Sequence, residues 1–141
     1  MGPLDLSGLT PPALLLLDTK PIVYWLEGQA LADRFQPIFE KHAAGEVQFA
    51  ITTVTIAEVL AGPLRVGDEA LTARYRGILE SWRVIDLTAD VAERAARLRA
   101  TLRLKLADAV QAASAFAIHA DALVTCDRDF ERLGPSLRII A

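Results

Sequence analysis

Four carboxylates lie in or directly after apolar stretches of the chain, and they limit the folds that the chain can adopt. They are Asp18, Glu58, Asp108 and Asp127. Charged side chains are rarely buried unless they are paired or bind a metal. If the fold brings these carboxylates together, their repulsion and desolvation require raised pKa values or a compensating cation. Oxygen-only ligands suit Mg²⁺ or Mn²⁺, so the pattern predicts a divalent metal site.

The size and composition of the chain favour one globular domain. Its 141 residues are 52% hydrophobic and 23% charged, which excludes a disordered chain. No apolar run reaches the about 18 residues that a membrane helix needs, so we expect no membrane contact. The single cysteine excludes an internal disulfide and a cysteine zinc cluster, and we expect a cytoplasmic location. The net charge of -3 is compatible with a nuclease that holds metal through carboxylates.

Hydrophobic spacing and capping residues give the expected secondary structure. Short apolar runs predict strands at 13–17, 47–52, 83–87, 122–125 and 137–140. Helical patterns predict helices at 22–27, 30–42, 56–61, 69–79, 88–102 and 107–120, and a helical turn at 129–133. The third helix is expected to be capped by Thr53 or Thr55 and to stop at Gly62 and Pro63.

The alternation of strands and helices defines the fold class. It predicts an α/β fold with a mostly parallel sheet of about 4–5 strands and helices on both faces. Residues 1–12 contain several Gly and Pro residues and are expected to form a flexible N-terminal extension. Residues 13–141 are expected to form a single domain. In such folds, ligands bind beyond the carboxyl ends of the strands, near the point where the strand order reverses.

The carboxylates fall at positions that can meet at this edge of the sheet. Asp18 follows the first strand, Glu58 lies in the helix after the second, and Asp127 follows the fourth. Asp108 can join them from the start of a helix. It can also act only as a helix-capping acid, because the amides and dipole of a helix N-terminus favour a carboxylate.

The local sequences around these acids resemble those of one protein family. The resemblance lies in the stretches LLLLDT, TIAEVLAGP, LKLADAVQAASA and LVTCDRDFERL, which are similar to motifs of PIN-domain ribonucleases of the VapC toxin type. It covers nearly all of the chain after residue 12 and implies a three-layer PIN-like domain. It implies further that the four carboxylates bind Mg²⁺, or Mn²⁺, and that Thr125 lines the site. Asp129 matches the second acid of the last motif.

The resemblance implies a metal-dependent endoribonuclease, a hydrolase that acts as the toxin of a toxin–antitoxin pair. Bound Mg²⁺ would activate a water and polarise the phosphoryl oxygen, so that no nucleophilic side chain is needed. RNA would be cut to leave a 5′-phosphate and a 3′-hydroxyl. The implied partners are a VapB-like antitoxin and a second copy of the chain, in a homodimer. Lys20 departs from the small polar residue usual in the family, and it can contact phosphate, pair with a site carboxylate or point into water.

Basic residues concentrate just before Asp108. Arg103 and Lys105 are the candidates for contacts with RNA phosphates, because they are nearest to the expected site. Arg94 and Arg97 each follow an acid by four residues, which favours a solvated helix face with internal ion pairs.

Some apolar residues can serve either the core or a protein partner. They are Tyr24 with Trp25, and Leu60 with Leu64. Core positions are favoured for both pairs, and contact with an antitoxin helix is the alternative that the resemblance suggests.

Three alternative function classes make different demands on the sequence. A phosphatase of the haloacid-dehalogenase type would need a second aspartate two positions after Asp18, where Lys20 stands. A phosphorylated receiver domain would need an early acidic pair and a late strand-end lysine, which the sequence lacks. A catalytically weak PIN domain that mainly binds an antitoxin in an operator complex is the main alternative. The presence of all four carboxylates favours the nuclease.

Overall fold

The computed structural model describes residues 3–141, so Met1 and Gly2 of the predicted extension lie outside the described residues. Among these residues, five strands form one sheet: β1 Ala13–Leu17, β2 Val47–Thr52, β3 Arg83–Ile85, β4 Ala122–Val124 and β5 Ile139–Ile140. All neighbouring strands are parallel, and their order is β3-β2-β1-β4-β5. The predicted mostly parallel sheet is therefore confirmed.

β3 and β4 end earlier than predicted, and β5 begins later, because the strands that they pair with are short. β2 passes directly into a helix after Thr52, so β3 has no partner beyond Ile85. β1 ends at Leu17, which pairs with Val124, so β4 has no partner on β1 beyond Val124. β5 pairs only with Leu123 and Val124 and is correspondingly short.

The helices follow the predicted order along the chain. Within residues 3–141 they are α1 Thr19–Glu27, α2 Ala32–Ala43, α3 Thr53–Arg65, α4 Glu69–Glu80, α5 Ala89–Leu102, α6 Leu106–Ala117 and the 3₁₀ helix Arg128–Ser136. α6 ends before the predicted residue 120, and His119 just after it adopts a left-handed backbone with φ of 53°. No helix in the described range is both long and apolar enough to cross a membrane.

The prediction for α3 was wrong at both ends. Its N-cap is Thr52, whose hydroxyl accepts a hydrogen bond from the Thr55 amide at 3.2 Å, and neither Thr53 nor Thr55 fills that position. The helix also continues beyond Gly62 and Pro63. Pro63 is buried, so packing of its ring offsets the backbone hydrogen bond that proline cannot donate.

Alternate residues of β1 point to opposite sides of the sheet, and each side is covered by helices. Leu15 and Leu17 belong to one core cluster, whereas Leu16 belongs to a second. α1 to α4 contribute to the first cluster, with residues such as Phe35 of α2. α5, α6 and the 3₁₀ helix contribute to the second, with residues such as Phe130. The three-layer arrangement with helices on both faces is confirmed.

Residues 3–12 contain no helix or strand, yet they pack against the domain. Leu4, Leu6 and Leu9 contact the first core cluster. Arg138 donates a hydrogen bond from Nη2 to the main-chain oxygen of Asp5 at 3.0 Å. The division into an extension at 1–12 and a domain at 13–141 stays a prediction.

The strand order reverses at β1. The chain proceeds from β1 outward to β2 and β3, and then returns to β4 on the other side of β1. The carboxyl ends of β1 and β4 therefore border the crevice in which α/β folds bind ligands. Asp18 follows β1 directly, and Thr125 follows β4.

Candidate metal centre

Three carboxylates meet at this edge of the sheet. Each of Asp108, Asp127 and Asp129 offers an oxygen, and these three oxygens all lie within 4.8 Å of one another. Asp108 lies in the first turn of α6, and Asp127 is the N-cap of the 3₁₀ helix. We call this group the carboxylate cluster. Because its members are only partly buried, one cation can reach an oxygen of each.

Asp108 is the member whose charge is least compensated. Its Oδ2 atom is buried and has no hydrogen-bond partner among the described residues. Burial raises the pKa of Asp108 to about 6, and the negative charges of Asp127 and Asp18 add to the shift. The ammonium of Lys105 opposes it. A buried carboxylate oxygen without a partner, among other carboxylates, fits a hard divalent cation.

Asp18 is held rigidly beside the cluster. Its Oδ1 accepts hydrogen bonds from the Thr19 amide at 2.9 Å and from Nε2 of Gln111 at 3.1 Å. Its Oδ2 accepts a hydrogen bond from the Thr125 hydroxyl at 2.8 Å. Asp18 is not one of the three residues whose oxygens converge within 4.8 Å, although its charge contributes to the raised pKa of Asp108. It therefore faces the cluster from the end of β1.

Thr125 connects the two strand ends at the site. Its hydroxyl donates to Asp18 and accepts a hydrogen bond from the Asp127 amide at 2.9 Å. Thr125 is fully buried, so water does not compete for these bonds. One side chain thus fixes the positions of two candidate ligands relative to each other.

Glu58 is not one of the three residues whose oxygens converge within 4.8 Å. It is exposed on α3, and its Oε1 accepts a hydrogen bond from the Thr19 hydroxyl at 2.8 Å. Thr19 is thereby the link between Glu58 and Asp18, since its amide binds the latter. Asp129, expected only to support the site, is instead a member of the cluster, and it also pairs with Nη2 of Arg132 at 3.5 Å.

Sequence reasoning missed a buried polar network beneath Asp18. Gln111 is 1% exposed and donates from Nε2 to the Thr55 hydroxyl at 2.8 Å as well as to Asp18. Its Oε1 accepts a hydrogen bond from the Thr52 hydroxyl at 2.8 Å. The available signal was an amide in a small-residue helix, three positions after Asp108 and hence on the same helix face.

Replacing Gln111 with Leu is expected to lower the free energy of unfolding by about 2–4 kcal/mol, because buried hydrogen-bonding groups lose their partners. Thr52, Thr55 and Asp18 would each lose one hydrogen bond. Urea denaturation measures the effect. The control is Gln36→Leu at an exposed position of α2, where the amide makes a single 3.5 Å contact and a change below about 0.5 kcal/mol is expected. Equal effects of the two substitutions would contradict the role of the network.

The two candidate RNA-contact residues, Lys105 and Arg103, are both exposed. Lys105 is exposed at the start of α6, and its charge acts on Asp108. Arg103 is exposed at the end of α5, where it adopts a left-handed backbone with φ of 55°. Arg97 pairs with Glu93 at 3.9 Å on an exposed face, in agreement with a solvated ion pair. Contacts with RNA therefore remain a prediction for Arg103 and Lys105.

Solved structures with a similar fold include several toxin–antitoxin proteins. A chain of a toxin–antitoxin complex from Klebsiella pneumoniae is 27% identical with a TM-score of 0.72, over 90% of this chain and 96% of that chain. A chain of VapBC-5 from Mycobacterium tuberculosis is 26% identical with a TM-score of 0.59, over 91% and 96%. VapC20 from Mycobacterium tuberculosis, described as a sarcin-ricin loop cleaving toxin, is 17% identical with a TM-score of 0.70, over 85% and 95%. At that identity the likeness shows the fold alone.

The family assignment comes from the sequence itself. A comparison with curated proteins gives no match. Residues 15–134 match the family model of the PIN domain, and this range includes all four predicted acids and the whole carboxylate cluster. The chain therefore belongs to the PIN domain family.

Proposed function

We propose that the protein is a Mg²⁺-dependent endoribonuclease and the toxin of a VapBC-type pair. The observation that carries this proposal is the buried Oδ2 of Asp108, which lacks a partner within a group of converging carboxylates. Ion pairs with arginine or lysine would have satisfied these groups if their role were structural. The only ion pair found for the cluster is a 3.5 Å contact between Asp129 and Arg132, within the described residues.

In the proposed mechanism, Asp18, Asp108 and Asp127 hold the metal directly or through water. Asp129, a member of the carboxylate cluster, is a further candidate ligand, and Glu58, which binds the Thr19 hydroxyl, acts through water. The bound dication supplies Lewis-acid catalysis of phosphodiester hydrolysis, with water as the nucleophile. Mg²⁺ is the expected ion and Mn²⁺ a substitute, because all the side-chain ligands are oxygens.

The protein side chains contribute orientation and charge. Thr125 and Gln111 fix the carboxylate of Asp18, so little reorganisation is needed when a cation binds. The Asp129 amide similarly holds Oδ1 of Asp127 at 2.8 Å. In the absence of a cation the carboxylates repel a phosphodiester, which makes cleavage strictly dependent on metal.

RNA is the proposed substrate, and the cytoplasm the proposed location. The support is membership of the PIN domain family, with cationic side chains beside an otherwise acidic site. Lys105 lies on one side of the site, and Lys20 lies in the first turn of α1 after Asp18. The expected products carry a 5′-phosphate and a 3′-hydroxyl.

The proposed partner is a VapB-like antitoxin, and the proposed assembly is a homodimer. Chains with this fold occur in a toxin–antitoxin complex and in VapBC-5, which supports such a partner. An open groove of about 510 Å³ between α1, α2 and α4 offers a mainly apolar surface that includes Trp25, Ile78 and Trp82. Leu64 and Val66 near the end of α3 are 47% and 78% exposed and offer a second apolar surface.

The catalytic proposal is tested by titrating Mg²⁺ into the purified protein with single-stranded RNA and mapping the products. We expect endonucleolytic cleavage that saturates with Mg²⁺, is supported by Mn²⁺ and stops with EDTA. Product ends are assigned by labelling, and a 5′-phosphate is expected. Complete absence of cleavage, for protein that binds its antitoxin normally, would instead favour the catalytically weak alternative.

A further inference from the structure

One pocket is lined by cationic side chains and includes sequence neighbours of two candidate metal ligands, Asp18 and Asp127. Its volume is about 390 Å³, within the range of about 300–1,000 Å³ that is usual for small-molecule sites. Lys20 of α1, Arg34 of α2 and Arg128 of the 3₁₀ helix line it together with the acidic Glu131, and Arg34 donates a hydrogen bond to the main-chain oxygen of Ala141 in the same lining. We call it the basic pocket. In a chain with a net charge of -3, this local excess of positive charge indicates an anionic ligand.

The basic pocket also has an aromatic wall. Tyr24 and Phe35 both line it; Tyr24 is partly exposed, whereas Phe35 is 1% exposed and is therefore fixed by core packing. Leu31 completes this apolar side. Cationic and aromatic side chains in the lining of one pocket suit a nucleotide, in which a phosphate adjoins a planar base. An inorganic anion would have no use for the aromatic wall.

Cys126 lies between the basic pocket and the candidate metal ligands. It lines the pocket, and it precedes Asp127 in the chain. Arg128, which also lines the pocket, directly follows Asp127, and Lys20 follows Asp18 by two residues. The pocket and two of the candidate metal ligands are therefore built from the same chain segments.

We propose that the basic pocket binds one nucleotide of the RNA strand beside the scissile phosphate, with Lys20 and Arg128 at its phosphate and Tyr24 against its base. This inference rests on the proposed nuclease function and adds a subsite for substrate selection. A base must leave its stack to enter, so unpaired RNA is favoured over duplex RNA. Lys20, where the family usually has a small polar residue, then has a role as a phosphate contact.

The single cysteine of the chain provides a direct probe of this pocket. The rate at which a disulfide reagent modifies Cys126 is measured in Mg²⁺ buffer with each of the four nucleoside 5′-monophosphates. Ribose 5-phosphate and inorganic phosphate are the comparison ligands. At least one nucleotide is expected to slow modification saturably below about 10 mM, and the comparison ligands are expected to protect at least about tenfold more weakly.

Two matched double variants identify the residues responsible. Lys20→Ala/Arg128→Ala is expected to weaken nucleotide protection at least about tenfold, because charge-assisted contacts are lost. Arg94→Ala/Arg97→Ala removes the same charge from the exposed face of α5 and should leave protection unchanged. All four side chains are exposed, so neither variant should unfold.

The outcomes separate this subsite from the nuclease function. No protection by any nucleotide, equal protection by ribose 5-phosphate or phosphate, or undiminished protection in the Lys20→Ala/Arg128→Ala variant would each overturn the subsite. RNA cleavage by the wild-type protein would stand in all three cases. A pocket reserved for a protein partner would give the first of these results. If nucleotides protect but the wild-type protein cuts no RNA, the subsite survives and the nuclease proposal fails.

Discussion

The Asp127→Asn variant is expected to lose about 10²- to 10³-fold of the Mg²⁺-dependent RNA cleavage rate while keeping its fold. Asparagine retains the oxygen that accepts the Asp129 amide, and it is as good an N-cap as aspartate. The substitution thus removes a charged metal ligand with little change in local structure. Single-turnover cleavage with saturating Mg²⁺ measures the rate, and thermal denaturation reports the fold.

Asp68→Asn is the matched control. Asp68 is also an N-cap, and its side chain accepts a hydrogen bond from the Leu71 amide at 3.0 Å. It lies exposed at the start of α4, outside the carboxylate cluster. Cleavage by the control should match that of the wild type. An Asp127→Asn protein with full Mg²⁺-dependent activity would remove Asp127 from the catalytic machinery.

The charge of Asp108 is expected to destabilise the metal-free fold. Its pKa is raised from 3.8 to about 6, so between these values the folded protein holds more protons than the unfolded chain. Stability should therefore fall as pH rises through this window, and the full cost should be present above pH 6. The shift corresponds to about 3 kcal/mol, which solvent screening at this partly exposed site reduces to about 1–2 kcal/mol.

The Asp108→Asn variant tests directly whether the Asp108 charge destabilises the metal-free fold. In EDTA at pH 7.5 the free energy of unfolding of the variant is expected to be about 1–2 kcal/mol higher than that of the wild type, because an uncompensated charge has been removed. The difference should vanish near pH 4. Added Mg²⁺ should stabilise the wild type and not the variant. A variant that is less stable than the wild type in EDTA at pH 7.5 would indicate that Asp108 is structural.

The end of β1 could be predicted because it depends on local chemistry. The apolar run of β1 closes at Asp18, and α/β folds gather ligands at the carboxyl ends of strands. The end of α3 could not be predicted from local chemistry. Glycine and proline usually end a helix, but burial of Pro63 allows the helix to continue.

The candidate site was predictable as a set of residues but not as an arrangement. Asp108 and Asp127 stand out in the sequence as acids in apolar surroundings, whereas Asp129 could be named only from its place in the last motif of the family resemblance. Which of them converge depends on side-chain directions that tertiary packing fixes. Glu58 points instead to the Thr19 hydroxyl. Gln111 escaped notice because a neutral amide in a helix usually faces solvent.

Anomalous scattering from crystals soaked in Mn²⁺ tests the central claim most directly. We predict a peak about 2.0–2.6 Å from Oδ2 of Asp108 and from an oxygen of Asp127, with Asp18 or Asp129 as a further ligand. The peak should disappear in the Asp108→Asn variant. A wild-type crystal without this peak, in which Oδ2 of Asp108 contacts Lys105 or another protein donor, would contradict the assignment of a metal-dependent nuclease.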